Sequence, residues 1–296
     1  MCIRDRFLTA IASTLIGGSI AIFSISNDIQ YLPISLFGIS FAVAAFPSLS
    51  QSISQKNKKE FLKKFKTVFS QILFATLPLS FLFFLLRAHL TRVIAGSQLF
   101  SWQDTRLTAA CLGLFSLSIP AQSLIPLLSR AFYSLHDTKT PVKIGILCII
   151  LNISLCLIFV SILENRNSLF SQFLSLILKL EGLSNIKVLA LPLALSCSFI
   201  LNLIFLLFAF KRKVSFSLKP LFNSFLRIFI LSGLSFFVCF IFLRIFSLIL
   251  DLSTFWGIFF QGGLSGVLAL VFYLFSAKKL NLFEYKEFTQ SLKKKI

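Results

Sequence analysis

The stretch Ile144–Leu163, IGILCIILNISLCLIFVSIL, decides how this chain must be read. It carries no charge from end to end. A helix rising 1.5 Å per residue needs roughly 20 apolar residues to cross a hydrocarbon core of about 30 Å. Outward from it lie further uncharged runs: Ile29–Gln55, Thr67–Leu86, Leu107–Ser129, Val188–Phe210, Ile228–Leu243 and Leu252–Ala277. Ile228–Leu243 is the short one, and Arg227 and Arg244 at its ends can snorkel and let the helix run on. The fold class expected is all-α, a polytopic membrane helix bundle.

Charge placement supports that threading. With spans crossing alternately, one face collects 56–66, 130–143, 211–227 and everything after Ala277, which together hold 20 of the 29 Lys and Arg residues. The other face collects 7, namely Arg87, Arg92, Arg106, Arg166, Lys179, Lys187 and Arg244. Basic residues concentrate in cytoplasmic loops, so the lysine-rich face and the C-terminus are expected in the cytoplasm. The net charge of +19 would point to nucleic acid in a soluble protein, but 57% hydrophobic and 13% charged residues exclude an ordinary soluble domain. No nucleic-acid partner is expected.

Local signals divide the chain further. Met1–Arg6 (MCIRDR) is a charged hexamer, read as foreign to the native protein, which is expected to extend upstream. Phe7–Ile16 is too short to cross, and Gly17-Gly18 breaks it. A long helix is expected from Ser19 to Ser52, kinked at Pro33. Gln55–Lys66 reads as a basic amphipathic surface helix with Phe61, Leu62 and Phe65 on one face. His89–Arg106 reads as an external loop, and the span with Pro120 and Pro126 as bent. Thr140 is the expected N-cap of the next helix, with Pro141 at its first position. Ser168–Leu178 is an apolar stretch too short to cross, and Gly262 and Gly266 allow close helix approach.

Catalytic constellations are missing. The two histidines, His89 and His136, stand far in sequence from any carboxylate pair, and no Cys/His spacing suggests a metal. Five of the six cysteines lie inside apolar runs, where cysteine acts as a small hydrophobe. No cofactor is expected. Asp28 is the one acidic residue within the apolar part of the chain. An ionisable group there costs at least about 2.5 kcal/mol on insertion scales and is normally functional or paired. It is expected to face the interior of the bundle, with Asn27 and Gln30 beside it. Asn152, Asn202 and Gln122 lie mid-span, where the plain reading is hydrogen bonding between helices.

Two segments carry a resemblance. Asn27–Ser50 (NDIQYLPISLFGISFAVAAFPSLS) and Arg130–Asn152 (RAFYSLHDTKTPVKIGILCIILN) resemble the MurJ/MviN lipid II flippases of the multidrug/oligosaccharidyl-lipid/polysaccharide (MOP) exporter superfamily. The resemblance rests on P-x-x-L-F-G at Pro33–Gly38, F-P-S-L-S at Phe46–Ser50 and R-A-F-Y…D-T-x-T-P-V-K-I at Arg130–Ile144. It implies a fold of two lobes around a cavity that opens alternately to either face. On that pattern residues 7–212 are the C-terminal lobe of a MOP/MATE-like flippase fold. Residues 213–277 are two additional helices forming a lipid-tail groove, and 278–296 are a cytoplasmic tail. The partners implied are a lipid-linked peptidoglycan precursor, membrane lipids and the N-terminal lobe of the same protein.

Two departures from the family pattern stand out. Where many members carry an acidic residue followed by Arg, this chain has Asn27 and Asp28. Where some members bind sodium, Asn152 matches the family Asn but the two acidic positions read Leu8 and Cys156. The function implied is lipid II translocation in the bacterial cytoplasmic membrane, with Asn27, Asp28 and Gln30 lining the cavity and Asn152 as an ion or helix-contact residue. Export of another lipid-linked polysaccharide or a drug is the alternative. A polytopic transferase would need paired carboxylates or His-Asp at a membrane face, and no such pair is present.

The charge asymmetry makes a direct prediction. Cysteines placed at Lys58 and Lys139 stay shielded from an impermeant thiol reagent in intact cells, and one placed at Ser101 labels. The reverse pattern would invert the threading.

Overall fold

The computed structural model describes residues 3–15, 17–95, 101–164, 169–178, 180, 186–215, 219–251 and 254–293, and among them there is no strand. Helix α1 (Ile3–Thr14) is followed by α2 (Ser19–Pro33), a π-helical segment at Ile34–Ile39 and α3 (Ser40–Ser54). Next come α4 (Lys58–Ala95), α5 (Trp102–Ser116), α6 (Ile119–Ser134) and α7 (Lys139–Glu164). The rest are α8 (Leu169–Leu178), α9 (Ala190–Val214) after a 3-10 turn at Ile186–Leu189, α10 (Lys219–Phe246), α11 (Phe255–Lys279) and α12 (Phe283–Lys293). Six of these units are long and apolar enough to cross a membrane, and α5 with α6, bent by 45°, makes a seventh. All seven uncharged runs therefore fall on spans, and the chain is a multi-pass membrane protein.

Prolines shape the spans, and neighbouring helices repair what they break. Proline has no N–H, so it leaves the carbonyl four residues earlier without its helical donor. Pro78 frees the Phe74 carbonyl, and the Tyr273 hydroxyl of α11 donates to it at 2.9 Å. Pro120 frees the Ser116 carbonyl, and the Ser80 hydroxyl of α4 donates to it at 2.7 Å. At the same bend the Ser118 N–H turns back to Phe115, which strands the Leu114 carbonyl. The Ser196 hydroxyl of α9 donates to that oxygen at 2.9 Å. The expected bend near Pro120 is thus present, held by hydroxyls from two other helices.

After Pro33 the ladder widens into the π segment, and the helix continues to Ser54. Within it Gly38 lies against α6, where an added Cβ would stand 2.5 Å from the Ser123 Cα. Packing is otherwise apolar. Phe61, Phe65 and Phe69 of α4 are buried with Leu49, Phe210 and Ile228, and the Phe65 and Phe210 ring centroids are 4.5 Å apart. Gly262 and Gly266 sit against His89 and Leu86 of α4, as their spacing predicts. There His89 Nε2 bonds Gln261 Oε1 at 2.9 Å, and Gln261 Nε2 donates to the Leu243 carbonyl.

Several local expectations are corrected. The basic segment after Lys58 is not a separate surface helix but the first turns of α4, because nothing in Lys66–Thr67 interrupts the stripe of buried phenylalanines. The loop expected at 89–106 is mostly helix, with α4 running to Ala95 and α5 starting at Trp102; residues 96–100 lie outside the described residues. Asp137, not Thr140, caps α7: its carboxylate accepts from the Thr140 N–H at 3.1 Å and from Lys213 Nζ at 3.0 Å. Those contacts, the backbone one foremost, hold the Asp137 carboxyl below the usual carboxylate range.

The expected tail contains α12, whose Phe288 stacks on Phe41 and whose Glu287 carbonyl accepts from Gln71. Leu282, just before α12, is buried as well. The hexamer at the N-terminus is continuous with α1 from Ile3, while Met1 and Cys2 lie outside the described residues. Arg166, Ser168 and Lys179 lie outside them too.

The Tyr273 bond is testable by a mutant cycle. Tyr273→Phe leaves a buried carbonyl bare and destabilises the chain by about 1 kcal/mol. In a Pro78→Ala background the residue-78 N–H takes over that carbonyl, and the same change costs close to nothing. Equal losses in both backgrounds, read from unfolding in detergent, would refute the coupling.

Candidate functional site

The polar residues singled out on α2 separate into two groups. Ile22, Ser26, Ile29, Gln30 and Pro33 form its buried face, as a 3.6-residue period requires. Gln30 is 1% exposed, and both ends of its amide are engaged. Its Nε2 donates to Asn27 Oδ1 at 3.0 Å, and its Oε1 accepts from Gln122 Nε2 of α6 at 3.0 Å. Gln122 reaches the Ser118 hydroxyl at 2.9 Å, and Ser118 lies 3.3 Å from the Ser196 hydroxyl of α9. A polar relay therefore runs from half-buried Asn27 through α6 to α9. Asn27 and Gln30 are brought together as expected, and Gln122 has the helix-bridging role read for it.

Asp28 stands apart. It is exposed on this chain's surface, beside Tyr31 and Leu32, which are 51% and 56% exposed. The expected place of Asp28 inside the bundle concerns a cavity shared with a second lobe, and within this chain alone the residue is on the surface. It falls on the outer face of α2, and no cation among the described residues pairs with it. A carboxylate without a cation is costly to bury, so turning outward leaves the α2–α6 contact to neutral amides.

Asn152 sits at the middle of α7, fully buried, and among the described residues neither end of its amide has a hydrogen-bond partner. The resemblance would give Asn152 a place in a sodium site, so the surroundings matter. Leu8 of α1 and Cys156 of α7 are 1% and 0% exposed and belong to one apolar cluster with Ala12 and Leu163. A hard cation needs several oxygen ligands. One amide oxygen among aliphatic side chains and a thiol does not supply them, and among the described residues no cluster of His, Cys, Asp or Glu could hold a metal. The residues present do not fit sodium, and Asn152 is a buried amide in a dry helix contact.

Ser118, Ser196 and Ser80 were not singled out from the sequence. Serines are scattered through every span, and only the bend at α5 and α6 gives these three their role.

A family model for "Lipid II flippase MurJ" matches residues 3–166, more than half of the chain and the region that holds α2 and α6. The chain belongs to the MurJ family. A probable lipid II flippase MurJ of Rickettsia prowazekii (strain Madrid E) is 31% identical over 162 residues, covering 54% of this chain and 32% of that protein. One from Helicobacter pylori (strain ATCC 700392 / 26695) is 27% identical over 220 residues, covering 70% of this chain and 47% of the relative. The chain thus spans between about a third and a half of the length of these MurJ relatives. A solved structure of lipid II flippase MurJ in an inward closed conformation superposes with a TM-score of 0.69 at 22% identity. It covers 95% of this chain and 52% of that one, which establishes the MurJ fold.

The apolar surroundings of Asn152 carry a prediction. Replacing sodium with choline leaves the Tm of the purified chain unchanged, and Asn152→Leu is neutral or stabilising, because both unpaired amide atoms go. Adding Leu8→Asp and Cys156→Asp together introduces a sodium-dependent rise in Tm. A sodium-dependent Tm in the unmodified chain would show that oxygen ligands are present after all.

Proposed function

We propose that this chain forms a lobe and an appended helix pair of a lipid II flippase in the cytoplasmic membrane, with the lysine-rich face and C-terminus in the cytoplasm. The carrying observation is Asp28, a carboxylate on the outer face of a span that nothing among the described residues covers. Such a group needs water or a polar surface, not acyl chains. A cavity shared with a second helical lobe supplies both. In this reading the α2 face bearing Asn27 and Asp28 looks across the cavity, while Gln30 and Gln122 fix that face to α6 behind it. Residues 7–212 form the lobe, and α10 and α11, within 213–277, flank the lipid tail. No covalent step is involved. The polar head of the lipid is exposed first to one side and then to the other as the lobes rock.

The missing cation at positions 27–28 favours a second reading, export of a different lipid-linked oligosaccharide by the same motion. The two are separated by rescue of a flippase-depleted bacterium, with the chain joined to the N-terminal lobe of a MurJ relative. Lipid II transport predicts rescue, lost in Asp28→Ala and kept in Glu60→Gln. Stable expression without rescue supports the second substrate class. Equal rescue by both variants would remove Asp28 from the cavity.

A further inference from the structure

Outside the Asp28 face, one of the cavities among the described residues combines arginine side chains with apolar walls and no carboxylate among its described lining. It lies between α4, α5 and α10, at the end of α4 far from Lys58–Lys66, and has a volume of about 380 Å³. Arg87 and Arg92 of α4 and Arg106 of α5 line it, with Trp102 at its edge. Among the described residues, no acidic side chain lines it. Asp104, the neighbouring carboxylate on α5, is turned to the helix start, where it accepts from the Ser101 N–H and hydroxyl at 3.3 and 2.7 Å.

The guanidiniums are placed by contacts that the fold builds. Arg87 Nη1 donates to the Phe84 carbonyl at 2.8 Å, and its Cζ lies 4.8 Å from the Phe84 ring centre. Its stem passes over Gly113 of α5, where a Cβ would lie 2.8 Å from the Arg87 Cδ. Any larger residue at 113 would push the arginine aside. Arg92 lies over the Trp102 ring at 4.7 Å from its centre. Stacking on an aromatic face leaves the guanidinium edge, with its N–H donors, free to point into the cavity. Below the charges the walls are Leu85, Ala109, Ala110, Leu178 and Phe240.

A half-buried guanidinium favours an anion with several oxygens, which it meets in paired hydrogen bonds. The apolar walls directly beneath suit an acyl chain. Trp102, 60% exposed, belongs at the level where headgroups meet hydrocarbon. We propose that this cavity binds the phosphodiester headgroup of an anionic phospholipid in the leaflet opposite the lysine-rich face. Arg87 and Arg92 hold the phosphate, and an acyl chain lies along Leu178 and Phe240. A lipid bound there ties α10, one of the two appended helices, to α4 and α5 of the lobe. Binding is read without transport, so this proposal and the flippase reading can fail separately.

Native mass spectrometry of the whole chain tests it, by titration with phosphatidylglycerol, phosphatidylcholine and inorganic phosphate. One phosphatidylglycerol is retained most tightly, and Arg87→Gln with Arg92→Gln weakens it about tenfold. Lys59→Gln, on the opposite face, leaves that affinity unchanged. Arg87→Lys with Arg92→Lys gives an intermediate affinity, since charge is kept but the paired bonds are lost. Equal affinity in the glutamine pair, or an equal loss in Lys59→Gln, would overturn the site. Competition by inorganic phosphate at matched concentration would make it a free-anion site and overturn the lipid assignment. Should the arginine variants fail to fold, a photoreactive phosphatidylglycerol with a headgroup diazirine decides on the unaltered chain. Crosslinks within 85–110 support the site, and crosslinks confined to 56–66 refute it.

Discussion

A backbone carbonyl that has lost its helical donor has no water to turn to inside a bilayer, and the bundle is organised around that constraint. Pro78 and the Pro120 bend create such carbonyls in α4 and α5, and the donors come from Tyr273, Ser80 and Ser196 on three different helices. Each donor can reach its carbonyl only if two helices sit at one particular height and rotation. Apolar packing between membrane helices is not driven by exclusion of water, since lipid is as apolar as leucine. The hydroxyl bonds therefore supply much of the specificity that water exclusion would supply in a soluble core. The two main apolar clusters then fill in around helices whose register these bonds have set.

The spans, their number and the bend were legible in the sequence because absence of charge and presence of proline are local signals. The partners of the freed carbonyls were not. Tyr273 lies 199 residues from Phe74, and nothing near either residue announces the other. The merging of Lys58–Lys66 into α4 was hidden for a different reason. A lysine-rich amphipathic pattern looks the same on a surface helix and on the end of a long span, and only the buried Phe61 and Phe65 tell them apart. The lysines after Ala277 concealed α12 similarly, drawing attention from Phe283, Tyr285 and Phe288.

At the candidate site, residue type was easier to read than direction. Asn27, Gln30, Gln122 and Asn152 stood out as polar groups in apolar runs. A one-dimensional pattern gave Gln30 and Asp28 the same environment, yet Gln30 is buried against α6 and Asp28 is exposed. The difference of two positions along α2 is a rotation of about 200°. The amides can satisfy one another inside the bundle, whereas the carboxylate would bring an uncompensated charge with it. The α1–α7 contact shows the converse. Leu8 and Cys156 stand where the resemblance would place acidic residues, and they lie in apolar packing; among the described residues Asn152 has no partner.

The π segment at Ile34–Ile39 gives the long first span a property that a uniform helix would lack. A π turn holds one residue more than an α turn, so it behaves as an insertion absorbed without a loop. Removing one residue from it would restore an unbroken α-helix. The lower half would then turn by about 100° relative to the upper half. The polar face around Asn27 and Asp28 and the small-residue face around Ala42 and Ala45 are thus kept in phase with different neighbours by a single surplus residue. In evolutionary terms that residue is a phase setting. Chain length in this span can change by one without breaking it, but only by re-aiming one of its two faces.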